Sequence, residues 1–153
     1  MNVEEKLASL GLVLPPAPAP VAAYVPAVRA GTLLFTSGQL PFRGGELAWR
    51  GKVGANLTWE QGYEAARACL LNCLSVIKAE IGDLERVERV VRVAGFVNSA
   101  PGFHDQPKVI NGASELLLEI FGPRGRHSRV AVGAAELPLN AAVELEMIVL
   151  VKD

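Results

Sequence analysis

The sequence predicts an α+β domain: one mixed sheet with two long helices packed on a single face. Three observations lead there. The chain has 153 residues, half of them apolar and only 20% charged, which suits one domain with ample material for a core. Two segments, 58–82 and 105–121, place apolar residues at helical spacing. Both stand between stretches of β-type pattern, giving the order hairpin and short strand, helix, strand, helix, strand, strand. With antiparallel strands at both ends, both helices on one face is the simplest packing.

Residues 3–10 (VEEKLASL) read as a short helix stopped by Gly11. The run PPAPAP at 15–20 is a polyproline-type spacer. The expected organisation is thus an N-terminal arm over 1–20 and one domain over 21–153. VAAYVPAV at 21–28 and TLLFTSGQL at 32–40 predict a hairpin turning at Ala30-Gly31, with Pro26 at an edge or bulge. PFRGGELAWRGKVG reads as turn, short strand, turn. Thr58 is a good N-cap, and Gln61 completes a capping box. Tyr63, Ala66, Leu70, Cys73, Ile77 and Ile81 follow on one stripe, and Gly82 closes the helix. At 1.5 Å per residue this helix is roughly 35 Å long.

Residues 86–97 (RVERVVRVAGFV) predict a strand, with Val91, Val93 and Val97 on one face and Val90, Ala94 and Phe96 on the other. The second helix starts near Asp105, with Pro107 in its first turn and Gly122-Pro123 as its stop. Ile110, Ala113, Leu117 and Ile120 line one side of it. Gly112 inside it costs about 1 kcal/mol relative to Ala, so it marks a close approach of backbone or ligand. Strands at 129–135 and 142–151 follow, joined around residues 137–140. Strand 86–97 is apolar on both faces, and 142–151 places Ile148 and Leu150 opposite Met147 and Val149. A sheet apolar on both sides, with helices on one, must bury the other by association.

The balance of 15 Lys+Arg against 16 Asp+Glu speaks against a nucleic-acid partner, which needs a dense cationic face. No apolar run approaches the ~18 residues of a membrane span, and the N-terminus lacks a signal-peptide pattern. A cytoplasmic location without membrane contact is expected. Cys69 and Cys73, four apart on a helix, read as small core residues. His104 and His127 fit no zinc spacing, so no metal is expected.

Three arginines, Arg124, Arg126 and Arg129, crowd GPRGRHSRVAVG at 122–133. Arg124 and Arg126 read as a solvated basic loop. Arg129 differs because it opens an apolar strand, where a guanidinium must be paired. A bidentate carboxylate is its natural partner, from the protein or from a ligand. Glu144 and Glu146 share one strand face, either as exposed edge carboxylates or with one of them in a semi-buried cleft able to activate water. Tyr24 is a core, interface or ligand-facing aromatic. Ser37 lacks a nucleophile elbow, and no P-loop or G-x-G-x-x-G is present.

Together, Tyr24 in YVPAV, LLFTSGQLP at 33–41, GFVN at 95–98, Asn111, R-V-A-V-x(4)-LP at 129–138 and VELE at 143–146 resemble the Rid family (reactive intermediate deaminases, YjgF-type). The resemblance covers roughly residues 21–152. It implies a chorismate-mutase-like fold of the bacillary type and a homotrimer with sheets inward, helices outward and clefts between subunits. It implies hydrolysis of small 2-imino or enamine acids to 2-keto acids and ammonia, without cofactor. Carried over residue by residue, it makes Arg129 the carboxylate anchor and Glu144 the residue beside the attacking water. Tyr24 and Asn111 become ligand-side groups, and backbone amides near Val130 and Ala131 hold the ligand. Three departures stand out. Ala131 occupies a position that is often cysteine, 98–106 is a longer connection, and the first 20 residues are extra. A non-catalytic trimeric binder of small carboxylates is the alternative. An endoribonuclease, a label some relatives carry, fits the charge balance less well.

Overall fold

The computed structural model describes residues 1–18 and 23–153. Helix α1 (Val3–Ser9) is followed by β1 (Ala27–Ala30), β2 (Leu33–Thr36), β3 (Phe42–Arg43), β4 (Glu46–Leu47) and α2 (Trp59–Ile81). Then come β5 (Val87–Asn98), α3 (Gln106–Phe121), β6 (Ser128–Ala134) and β7 (Val143–Val151). Five strands form one sheet in the order β1-β2-β7-β5-β6. Only β5 and β6 run parallel, joined through the α3 crossover; the other neighbours are antiparallel.

Helix α2 begins as its sequence dictates. Thr58 accepts from the Gln61 amide, and the Gln61 side chain returns the bond to the Thr58 amide. Gly82, at φ 85°, ends it. The two long helices lie on one sheet face, and Gly112 lets them meet: a Cβ there would run into the Tyr63 carbonyl oxygen. The close approach marked by that glycine is backbone against backbone.

Five expectations are refined. The short strand after Pro41 is a separate hairpin, β3–β4, turning on Gly44 and Gly45 with φ of 60° and 80°, the geometry of a type I′ turn. The strand expected at 21–28 starts only at Ala27; Val21 and Ala22 lie outside the described residues. Pro26 directly precedes this edge strand, where its missing N–H costs nothing. On β5 a register shift between Val90 and Arg92 moves Val90 to the helix face, beside Val93 and Val97, all fully buried. A bulge breaks the period of two, so Val91 leaves that face. Arg124 is no solvated side chain: half-buried, it donates to the Val87 carbonyl at 2.9 Å and pairs with Glu85 at 3.2 Å.

The first residues dock on the helical layer. Val3 and Leu7 are buried in the main core, the Val3 amide donates to Glu85, and Lys78 pairs with Glu4 at 2.8 Å. Ser75 donates to the Pro15 carbonyl. No helix among the described residues is long and apolar enough to cross a membrane.

Candidate functional site

Arg129 and Glu144 stand on opposite faces of the same sheet. Across the strands, Arg129 lies beside Val93, which lies beside Met147; Val93 and Met147 are buried under the helices. Glu144 lies beside Phe96, which lies beside Val132. That second row belongs to the face without helices, and Val132 is 44% exposed. The candidate residues therefore form two half-sites.

In the first half-site, β6 and α3 bring Arg129 and Asn111 together. Arg129 Nη1 donates to Asn111 Oδ1 at 2.8 Å and to Ser114 Oγ at 3.1 Å. Nη2 has one long bond, 3.5 Å, to the Pro107 carbonyl. Among the described residues no carboxylate lies within ion-pairing distance of Arg129. The anion expected for it does not come from its own chain. With Nη1 spent, the Nε–Nη2 edge remains for a planar anion. Asn111 turns its oxygen to the guanidinium and so orients Arg129.

Next to Arg129, β6 is a sheet edge. The Ser99 amide donates to Ala134 O, so by strand alternation residues 134, 132 and 130 direct their main-chain groups toward β5. Ala131 and Gly133 direct theirs to the open edge. The amide free for a ligand is that of Ala131, while Val130 spends its own in the ladder. The 98–106 connection packs against the helix-side face of β6 at Gly133. Gln106 Nε2 donates to Ser99 Oγ and to the Phe103 carbonyl, and both Ser99 and Gln106 stand against Gly133.

The second cluster brings Gly38 against Glu144. A Cβ at Gly38 would stand 2.5 Å from Glu144 Oε1, so glycine in SGQLP leaves room for the carboxylate. Burial pushes the Glu144 carboxyl above the usual carboxylate range, and the charge of Glu146 adds to this. Ser37 Oγ donates to the Val25 carbonyl and Ser37 N to the Pro26 carbonyl. These bonds tie Val25 and Pro26 to the residue before Gly38; Tyr24 itself is 62% exposed, and no contact brings it to Glu144. Cys69 and Cys73 lie on the inner side of α2, their thiols donating to β7 carbonyls; burial raises both pKa values, Cys73 to about 12. They are inert core groups.

Ser114 and His127 were missed by the sequence reading. Both leave a signal: Ser114 is three residues after Asn111 on one helix face, and His127 is two before Arg129 in an extended segment.

The family model described as "YjgF/chorismate_mutase-like, putative endoribonuclease" matches residues 4–151. The chain belongs to the YjgF/chorismate mutase-like (Rid) family. The match begins inside α1 and so takes in residues 4–20 of the segment read as extra. A Trypanosoma cruzi relative, "Protein TCP17", is 49% identical over 97% of this chain and 93% of its own length. A 2-iminobutanoate/2-iminopropanoate deaminase from Dermatophagoides farinae is 30% identical, covering 90% of this chain and 93% of that one. The crystal structure of a protein of unknown function from Agrobacterium tumefaciens superposes with a TM-score of 0.93 at 44% identity, over 98% of this chain and 92% of that one.

Proposed function

We propose that this Rid-family chain hydrolyses small 2-imino or enamine acids to 2-keto acids and ammonia in a cleft between subunits of a homotrimer. One observation carries the reading: Arg129 and Glu144 occupy opposite sheet faces, so one ligand reaches both only if a second copy supplies one of them. The bare sheet face supports the same assembly. Val28, Phe35, Val130 and Val132 are exposed on it, and Ile148 and Leu150 are half-buried, an apolar surface that needs a partner. The activity of the Dermatophagoides farinae relative gives the substrate class.

In this mechanism the substrate carboxylate lies along the Nε–Nη2 edge of Arg129, and the Ala131 amide supports it. Glu144 of a neighbouring copy accepts a proton from water as the water oxygen bonds to the C=N carbon. The nitrogen takes that proton back from Glu144 and a second from the adduct's hydroxyl, the C–N bond of the tetrahedral adduct breaks, and ammonia leaves as the carbonyl forms. The imine is already electrophilic, so positioning and proton transfer suffice. Tyr24 joins the cleft as a ligand-side group through the family resemblance. A keto acid freed from freshly generated 2-iminopropionate at a rate far above the uncatalysed one is the expected result. Background rates alone would end the reading.

Ala131 favours a second reading, because a thiol contribution is absent there. A non-catalytic trimer would bind small carboxylates through Arg129 without needing Glu144. The endoribonuclease reading gains little, since His127 spends both ring nitrogens on Ser114 and Gly125. RNA binding with a steep salt slope would revive it.

A further inference from the structure

His127 sits at the end of a chain of hydrogen bonds leading to the Arg129 guanidinium. His127 Nδ1 lies 2.6 Å from the Gly125 carbonyl oxygen. A carbonyl only accepts, so Nδ1 carries the proton. Nε2 of the neutral ring is then an acceptor, and Ser114 Oγ lies 2.8 Å from it. Ser114 gives its one proton to His127 and turns lone pairs toward Arg129 Nη1, 3.1 Å away. The tautomer of His127 thus decides which way the Ser114 hydroxyl points.

The far end of this chain is fixed by packing. Gly125 is buried, and a Cβ there would collide with the Leu117 carbonyl oxygen. Its backbone is pressed against α3 as no other residue type allows. The Gly125 carbonyl is therefore a rigid anchor for the imidazole. At the near end, Asn111 takes the other Nη1 proton. Both Nη1 protons are used by neutral acceptors, which fix the plane of the guanidinium without neutralising its charge.

We infer that Ser114 and His127 are positioning residues that lock the Arg129 guanidinium with its Nε–Nη2 edge engaged only by the long Pro107 contact and its charge uncompensated. The functional part rests on the reading of Arg129 as a carboxylate anchor; the lock itself does not. A guanidinium free to rotate loses the planar register that distinguishes a bidentate grip from a point charge. The relay thereby selects ligands with a planar carboxylate.

The test uses the full chain with two readouts. Guanidinium NMR of the ligand-free protein, with Arg129 assigned by comparison with Arg129→Lys, should give resolved Nη signals in wild type and Ser114→Thr. The signals should average in Ser114→Ala and His127→Phe. Calorimetry with 2-oxobutanoate should show affinity reduced roughly tenfold in those two variants, the size of one charge-assisted hydrogen bond, and largely retained in Ser114→Thr. KM for imine hydrolysis should rise in step while kcat moves much less. Resolved signals persisting in Ser114→Ala and His127→Phe would overturn the lock, whatever the ligand does. Averaged signals with unchanged affinity would overturn its functional role. A wild type that binds no 2-oxo acid, beside variants that still loosen, would sink the carboxylate reading and leave the lock standing.

Discussion

On β7, Val143, Leu145, Met147, Val149 and Val151 point toward the helices and all are buried. Glu144, Glu146, Ile148 and Leu150 alternate with them and point the other way, half-buried or exposed. The helix face is covered within one chain, and among the described strand residues it carries its arginines, Arg29 and Arg129, only on the two edge strands. The open face is equally built from strand residues but holds Arg92, Glu144 and Glu146 among apolar neighbours. One strand thus carries the buried core in one parity and, in the function proposed above, the chemistry in the other. A period of two lets them change independently.

Truncation is the strongest way to break this comparison. Leu145→Ala should remove about 2–5 kcal/mol of unfolding free energy, read as a lower urea midpoint. Phe35→Asp on the open face should keep the far-UV circular dichroism and instead shift light scattering toward single copies. Equal loss of secondary structure in both variants would erase the distinction between the faces.

Glu144→Gln sharpens it next. The trimer and 2-oxo acid binding should survive, while single-turnover imine hydrolysis falls by roughly 10²-fold or more. Full residual activity would favour the metabolite-binding reading. Arg129→Lys keeps the charge but loses the fork, and calorimetry should show affinity for a 2-oxo acid down roughly tenfold.

The smallest effect concerns pH. Burial and the charge of Glu146 raise the Glu144 carboxyl on folding. A carboxyl so raised favours the folded state while protonated. That contribution is complete below the ordinary carboxylate value and is lost as pH rises through the folded one. Charged Glu144 therefore costs stability at neutral pH. Thermal unfolding should find Glu144→Gln slightly more stable than wild type at pH 7, with the advantage gone below about pH 4. A mutant less stable at pH 7 would mean that Glu144 is held by a favourable contact.

Much of this was legible in the chain because local chemistry and global packing agree. Thr58, Gln61 and Gly82 mark both ends of α2, and Gly112 announces the helix crossing. The phase of β5 was not legible, since nothing in RVERVV signals the bulge that carries Val90 to the buried side. Arg129 and Glu144 could be singled out by their surroundings on apolar strands. Their placement on opposite faces required the register of three strands, β6, β5 and β7, which no single segment contains. Ser114 and His127 left only spacing as a signal, three after Asn111 and two before Arg129; that they meet is set by the crossover that folds helix and loop together.

In the trimer proposed above, the split between Arg129 and Glu144 has a genetic meaning. A chain crippled at Arg129 still offers a good Glu144, and a chain crippled at Glu144 still offers a good Arg129. Refolded together at equal amounts, two inactive variants should repair each other. In a three-membered ring with directional interfaces, every mixed ring contains one intact junction of three, restoring roughly a quarter of wild-type turnover. Such rescue is open only to an enzyme whose catalytic set is shared between neighbours, and it would make many lesions at this site recessive to one another.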